Sequence, residues 1–229
     1  MKKLLQSIGQ MVFPKLCNCC NSYLSHQEYL ICDLCKYSLP KMEQLGTQDN
    51  PLIKKFWGRL HVQHAFGLYH YKNNSKIQSL LKQLKYKNNI DLGLELGKVL
   101  GERIRSEKFI KSIDCIIAVP LHPIRELKRG YNQSTLLSQG MSSVVGIQIN
   151  EGNLYRRLYN ESQTKKSRYD RFENSTDIFG VRDKDMLKNK HILLVDDVVT
   201  TGSTLEACGN ILLDIEGVSI SIATLAVAY

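Results

Sequence analysis

The stretch ILLVDDVVTTGST, residues 192–204, constrains the fold of this chain more than any other part of its sequence. An apolar run that suits a buried strand leads into two adjacent acids, and small residues follow them. A helical spacing of apolar residues then begins near Gly202. A buried strand that passes through a short loop into a helix is typical of a parallel α/β sheet, in which ligands bind beyond the carboxyl ends of the strands.

The alternation of strand and helix patterns extends over the chain from about residue 61. Apolar runs predict strands at 64–71, 113–120, 191–197 and 218–228, and apolar stripes predict helices at 75–86, 92–105, 130–146 and 202–217. Segment 156–176 reads as a loop because it is polar and basic without a clear period, and segment 119–133 reads as a second loop because it follows a buried strand. The predicted fold class is therefore α/β, a mostly parallel sheet flanked by helices.

The loop after this strand has the chemistry of a phosphate site. Its residues are Thr200, Thr201, Gly202, Ser203 and Thr204. The hydroxyls are hydrogen-bond donors, and the glycine lets the backbone approach a ligand closely. The first N–H groups of the following helix have no intrahelical acceptor and carry partial positive charge. These groups together predict a cup for a phosphate monoester.

The adjacent acids Asp196 and Asp197 need partners, because two carboxylates at a strand end repel one another. The 2- and 3-hydroxyls of a ribose supply a matched pair of donors, and a nearby divalent cation is an alternative. With the phosphate cup, the acids predict a site for ribose 5-phosphate. A Walker A site is disfavoured because no lysine follows Gly202, whereas a purely structural strand–turn–helix stays open.

The stretch 192–204 resembles the 5-phosphoribosyl-1-pyrophosphate signature of type I phosphoribosyltransferases. The resemblance implies a central parallel sheet with flanking helices and a separate hood. It also implies that Asp196 and Asp197 hold the ribose and that Thr200 to Thr204 hold the 5-phosphate.

Two basic segments extend this interpretation. In VPLHPIRELKRGYNQ, residues 119–133, we predict that Arg125, Lys128 and Arg129 bind pyrophosphate, with a basic surface loop as the alternative. The segment 156–179 is also rich in Lys and Arg. It suits a flap over the pyrophosphate, a contact for a nucleic-acid backbone with aromatic stacking, or a solvated linker.

The charge of the chain points to anionic partners. The 31 Lys and Arg residues against 22 Asp and Glu residues give a net charge of +9, which suits nucleic acid, nucleotides or acidic lipid. No apolar run approaches the roughly 18 residues that cross a bilayer, so no membrane span is predicted. The first 16 residues read as a short amphipathic helix rather than as a signal peptide.

The cysteines near the N-terminus form two CxxC pairs, Cys17 with Cys20 and Cys32 with Cys35. Two such pairs supply four thiolates to one tetrahedral ion, which predicts a structural zinc site. Cys19 is a possible alternative thiol. An odd total of cysteines, clustered and without a convincing signal, indicates a reducing compartment, and we expect the protein in the cytoplasm. We predict a zinc-ribbon module at 1–60 and a second domain at 61–229.

The order of these motifs resembles that of the ComF family. The resemblance rests on the four cysteines, on LKYKNN around Lys85, on RGYNQ at 129–133, and on the signature at 192–204. It implies a zinc ribbon joined to a phosphoribosyltransferase domain. It also implies a protein that helps to process incoming single-stranded DNA in natural transformation, together with a helicase-type partner. Lys85 stands in a family-like position without an assigned role.

Two functions follow from this interpretation. In the first, the chain binds phosphoribosyl pyrophosphate or a related nucleotide and assists the processing of single-stranded DNA. In the second, it is a catalytically active phosphoribosyltransferase of nucleotide metabolism or salvage, in which Arg125, Arg129 and Mg²⁺ stabilise the leaving diphosphate. No acceptor-base pocket is visible in the sequence, which favours the first.

Overall fold

The computed structural model describes residues 15–43, 50–157 and 178–228. The predicted N-terminal helix and most of the polar connector at 41–51 lie outside these ranges. So does most of the basic segment at 156–176, including the aromatic residues proposed for stacking.

The described residues form a four-stranded parallel sheet in the order β1, β6, β5, β2. Its strands are β1 (Ala65–Tyr71), β2 (Cys115–Ala118), β5 (His191–Val199) and β6 (Ser219–Ala228). A separate antiparallel hairpin pairs β3 (Leu154–Arg156) with β4 (Phe179–Val181). The helices are α1 (Asp33–Ser38), α2 (Pro51–Lys54), α3 (Lys76–Tyr86), α4 (Ile90–Ile104), α5 (Pro123–Arg129), α6 (Gln133–Val145) and α7 (Ser203–Leu213).

Helices cover both faces of the sheet. On one face, α3, α4 and α6 pack against Leu193 and Val195 together with residues 17–39, which carry the two CxxC pairs and are called the cysteine module. On the other face, α2, α7 and the β3–β4 hairpin pack against Ile192 and Leu194. Since both faces of β5 are covered, its apolar residues form a continuous run instead of alternating with polar ones. The predicted parallel sheet flanked by helices is confirmed.

Helices α4 and α6 approach closely because glycines lie at their crossing. A Cβ added to Gly140 would lie 2.1 Å from the carbonyl oxygen of Leu94, and one added to Gly97 would lie 2.3 Å from that of Leu137. Only hydrogen fits at these two positions. The close packing fixes α6, whose first turn contributes to the site described below.

The loop prediction for residues 119–133 is wrong in its middle, because Pro123–Arg129 forms α5. Pro123 suits the first position of a helix, and His122 accepts a hydrogen bond from the N–H of Ile124 at 3.3 Å. Gly130 ends the helix at φ +79°. Strand β5 also runs two residues further than predicted, since Val198 and Val199 pair with β6.

The cysteine module continues into an antiparallel contact along β1. Lys41 pairs with Tyr69, and the N–H of Met42 donates to the carbonyl of Leu68 at 3.0 Å. Further along, Leu52 and Phe56 are buried in the same cluster as one face of the sheet. The domain boundary at residue 60 stays a prediction.

No helix among residues 15–43, 50–157 and 178–228 has the length and apolar character needed to cross a membrane.

Candidate functional site

The loop before α7 depends on Gly202. Its φ of +82° lies in the left-handed region, which residues with a side chain seldom adopt. A Cβ at this position would also lie 2.9 Å from the ring of Phe56, which is buried. The glycine therefore serves the turn and its packing, in addition to the close approach of a ligand that the sequence indicated.

The loop is open to solvent at the start of α7. Its predicted hydroxyl donors are all exposed: Thr200, Thr201, Ser203 and Thr204. In the described part of the chain, the N–H groups of Thr204 and Leu205 have no acceptor. These N–H groups, the hydroxyls and the helix dipole favour an anion at this end of α7.

Arg59 braces this loop from outside. Its guanidinium donates to the carbonyl of Thr201 at 3.0 Å and forms an ion pair with Glu206 in the first turn of α7. Thr201 also shares a 3.0 Å hydrogen bond with the hydroxyl of Ser203. Nothing in the sequence pointed to Arg59, because 142 residues separate it from Thr201.

Asp196 is held by two donors. Its Oδ1 accepts from the hydroxyl of Ser134 at 3.0 Å and from the N–H of Asp197 at 2.8 Å. Burial, together with the negative charge of Asp197, raises the pKa of Asp196 to about 7. Its second carboxylate oxygen has no partner among the described residues.

Asp197 is paired with a lysine that the sequence left without a role. The side-chain nitrogen of Lys85, near the end of α3, lies 2.7 Å from Asp197 Oδ2. Asp197 is only 8% exposed, so the lysine compensates a carboxylate that is largely removed from water. The sequence pointed to Lys85 only through the resemblance of LKYKNN to the ComF family, and it did not predict the contact with Asp197.

The RGYNQ segment positions the acids and the lysine. The hydroxyl of Tyr131 donates to the carbonyl of Leu84 at 2.6 Å, next to Lys85. Asn132 donates to the carbonyl of Val119 at 2.9 Å and accepts from the N–H of Ser134 at 3.0 Å. The segment thus ties the end of α3 and the end of β2 to the start of α6.

The three cations predicted to bind pyrophosphate line one cavity of about 870 Å³. Arg125, Lys128 and Arg129 share this cavity with Lys85 and Tyr86. Arg129 is held by a 2.8 Å hydrogen bond to Gln133. In the described part of the chain, Arg125 and Lys128 have no carboxylate partner. Binding of pyrophosphate by these residues stays a prediction.

A second cavity of about 590 Å³ lies beside the end of β2. Its lining includes Leu121, Thr135, Tyr155 and Arg156. Burial, helped by the positive charge of Arg125, lowers the pKa of Arg156. This cavity was not predicted from the sequence, because the hairpin that carries Tyr155 and Arg156 was not predicted.

The four cysteines of the two CxxC pairs form one cluster. The sulfurs of Cys17, Cys20, Cys32 and Cys35 all lie within 4.8 Å of one another. Cys17 Sγ accepts hydrogen bonds from the N–H of Cys19 at 3.4 Å and from the N–H of Cys32 at 3.3 Å. The cluster could hold a metal ion, and four sulfur ligands are a donor set of structural zinc sites.

Cys19 lies outside this cluster. Its sulfur is 3.9 Å from the carbonyl oxygen of Lys76, and it is not one of the four sulfurs that lie within 4.8 Å of one another. The structure therefore separates Cys19 from the other four.

We expect Asp196→Asn to change how stability depends on pH. Between about pH 4 and pH 7, folded Asp196 keeps a proton that the unfolded chain has lost, so wild-type stability falls as pH rises through this window. The neutral amide keeps both acceptor contacts and has no such loss. Its stability relative to wild type should rise with pH, by at most about 4 kcal/mol. Urea unfolding at several pH values measures the difference, and a difference that is constant with pH contradicts this prediction.

The chain is similar to known protein families and to individual known proteins. A family profile for the phosphoribosyl transferase domain matches residues 125–228. Competence protein F of Haemophilus influenzae is 34% identical over 138 residues, 58% of this chain and 60% of that protein. The DNA utilization protein YhgH of Salmonella typhi is 26% identical over 214 residues, 89% of this chain and 92% of that protein. Competence protein ComFC of Bacillus subtilis is 25% identical over 201 residues, 87% and 78% of the two chains.

The profile covers both RGYNQ and the signature at 192–204. The chain spans less than two thirds of the length of the Haemophilus relative. The resemblance to the ComF family and the predicted phosphoribosyltransferase-like fold are both confirmed. The chain is a homologue of the competence protein F, ComFC and YhgH proteins, with a phosphoribosyl transferase domain and an N-terminal four-cysteine cluster.

Proposed function

We propose that the chain binds phosphoribosyl pyrophosphate or a related nucleotide and assists the processing of single-stranded DNA in natural transformation. The observation that carries the first part is the open loop before α7, which follows directly on the acid pair of β5. The second part is supported by the relatives, which are named as competence and DNA utilization proteins.

The loop before α7 supplies the 5-phosphate contacts in this proposal. The dipole of the helix contributes about 0.3–2 kcal/mol to anion binding. Hydrogen bonds from N–H and hydroxyl groups to a charged phosphate contribute about 1.5–3 kcal/mol each, so they dominate. The free N–H groups of Thr204 and Leu205 are the main donors, and the exposed hydroxyls of the loop add to them.

The remaining parts of the ligand meet the other groups of the site. The ribose hydroxyls donate to the carboxylate oxygens of Asp196 and Asp197 that no protein donor occupies. The diphosphate lies toward the cavity lined by Arg125 and Lys128, where charge-assisted hydrogen bonds are available.

For single-stranded DNA we propose contacts with the cysteine module. Tyr23, Tyr29 and Tyr37 are exposed on it, and stacking on such rings binds bases without sequence preference. The net charge of +9 attracts the phosphates. A helicase-type partner and a cytoplasmic location stay predictions.

We also propose that the cysteine cluster binds one zinc ion with a structural role. The four sulfurs leave no ligand position open. The N–H groups of Cys19 and Cys32 donate to Cys17 Sγ and stabilise a thiolate there. When bound, the ion joins the two halves of a module whose buried apolar residues, apart from its cysteines, are only Ile31 and Leu39 among residues 17–39.

A catalytic phosphoribosyltransferase is the second candidate function. The observation that favours it is the cavity of about 590 Å³ beside the end of β2, which offers space for an acceptor. In that function, Arg125 and Lys128 stabilise negative charge on the departing diphosphate.

The phosphate site is tested by Thr204→Asp. A carboxylate here repels the 5-phosphate, so affinity for phosphoribosyl pyrophosphate should fall at least about tenfold. An acid in the first helical turn supports the helix, so the fold should be preserved. Isothermal titration calorimetry measures the affinity, and Asn210→Asp, exposed in the same helix, adds the same charge away from the loop. Equal affinity for Thr204→Asp and Asn210→Asp contradicts the assignment.

The zinc site is tested by Cys32→Ser. Loss of one of four ligands should lower the zinc content and the midpoint of thermal unfolding, because metal binding contributes to folding. Cys19→Ala is the matched control and should keep one zinc per chain. Plasma emission spectrometry on purified protein gives the stoichiometry. Full occupancy in Cys32→Ser rejects the cluster as the metal site.

The DNA site is tested by Tyr37→Ala, since this ring is 88% exposed. Loss of one stacking ring should weaken binding of an oligothymidylate by about tenfold, and the affinity of the wild type should fall steeply with salt. Leu34→Ala, exposed in the same helix, is the control. Fluorescence anisotropy at several salt concentrations measures both. An affinity for the oligothymidylate that does not change with salt concentration, or that is the same in Tyr37→Ala as in the wild type, contradicts the proposed surface.

A further inference from the structure

Lys85 joins two parts of the site that the sequence treats separately. Its ammonium lies 2.7 Å from Asp197 Oδ2, an atom closed off from solvent. The same side chain lines the cavity of Arg125 and Lys128. Lys85 therefore contacts the acid pair and also lines the cavity proposed for the diphosphate.

The position of Lys85 is fixed by the fold. Tyr131 is buried, and its hydroxyl donates at 2.6 Å to the carbonyl of Leu84, the residue before Lys85. Tyr131 belongs to the segment that also positions Ser134 against Asp196. The lysine and the acids are thus held by one set of hydrogen bonds.

An ammonium group has three N–H donors. The contact with Asp197 Oδ2 is an ion pair without hydrogen-bond geometry, so the N–H donors remain for a ligand in the cavity that Lys85 lines. A diphosphate oxygen is a suitable acceptor for them, since hydrogen bonds between an ammonium and a phosphate are charge-assisted.

A divalent cation commonly links sugar diphosphates to a pair of acids, and Mg²⁺ is the expected ion for a phosphoribosyltransferase signature. Mg²⁺ requires near-octahedral oxygen ligands at short distance. Here Asp197 Oδ2 faces an ammonium, and Asp196 Oδ1 already accepts two hydrogen bonds. A dication at these two atoms would lie against the positive charge of Lys85, so they do not fit Mg²⁺, and the other oxygens of the pair, Asp196 Oδ2 and Asp197 Oδ1, are the ones assigned to the ribose hydroxyls.

The charge of the pair leads to the same conclusion. Lys85 compensates Asp197, and the hydrogen bonds on Asp196 come from uncharged donors. The group of three side chains carries at most one negative charge in total. It can accept hydroxyl protons of a ribose, but it attracts a dication less than two free carboxylates would.

We infer that Lys85 acts at this site as a built-in cation, which neutralises Asp197 and bridges the acid pair to the diphosphate of the sugar. Binding of the sugar diphosphate then requires no divalent cation. This inference rests on the proposed function, since it concerns how the same ligand is held.

The experiment measures binding of phosphoribosyl pyrophosphate by calorimetry with Mg²⁺ and with EDTA. Wild-type affinity in EDTA should stay within about threefold of its value with Mg²⁺. Lys85→Met should lose at least about tenfold in EDTA, the contribution of a charged hydrogen bond, and Mg²⁺ should restore part of it. Lys85→Arg keeps the charge and should bind more tightly in EDTA than Lys85→Met does.

The matched control is Lys82→Met, which removes an exposed charge from the same helix one turn earlier and should bind like wild type. Circular dichroism reports whether each variant is folded. The wild-type comparison needs no variant, so it decides the matter even if Lys85→Met does not fold.

Two results overturn the inference while leaving the proposed function intact. One is a wild type that binds the sugar diphosphate with Mg²⁺ and not with EDTA. The other is a folded Lys85→Met that binds like wild type in EDTA. Absence of binding under every condition overturns the proposed function, and this inference with it.

Discussion

The site depends on one electrostatic arrangement, two carboxylates held at the end of a buried parallel strand. Such a pair is stable only if donors compensate it, because burial and mutual repulsion both oppose ionisation. Ser134 of α6 and the N–H of Asp197 in β5 donate to Asp196, and the ammonium of Lys85 in α3 pairs with Asp197. The acid pair therefore lies where the end of α3 and the start of α6 meet β5. The acid pair also fixes the position of the loop before α7, because this loop follows directly on the same strand.

The RGYNQ segment has a different role from the one its charges suggest. Its conspicuous feature in the sequence is Arg129, yet that guanidinium is held by Gln133 and lies over the ring of Tyr86. The uncharged members make the contacts that organise the site: Tyr131 reaches the end of α3, and Asn132 links β2 to α6. Arg125 and Lys128, on α5, are the cations without a protein carboxylate near them in the described residues. They are better placed than Arg129 to bind an anion.

The sequence predicts those features whose cause is local. Apolar runs located the strands of the main sheet, CxxC spacing located the cysteine cluster, and the residues around Gly202 located the loop that precedes α7. Features that depend on tertiary contacts were missed. The pairing of Lys85 with Asp197 joins residues 112 positions apart (197 − 85), and no local pattern announces it. Helix α5 was missed because its basic surface shows no apolar stripe, and the β3–β4 hairpin because each of its strands has three residues.

The cysteine module and the acid pair are connected through α3. At its start, the side-chain nitrogen of Lys76 donates to the hydroxyl of Ser38 at 2.6 Å, while Cys19 lies against the Lys76 carbonyl. Just beyond its end, Asn89 donates to Asn18 of the module at 3.0 Å. Since Lys85 lies in the last turn of this helix, the module braces the helix that carries the ammonium to Asp197. A metal ion that orders the module would thereby also order the helix that carries Lys85, without any contact between the metal and the acid pair.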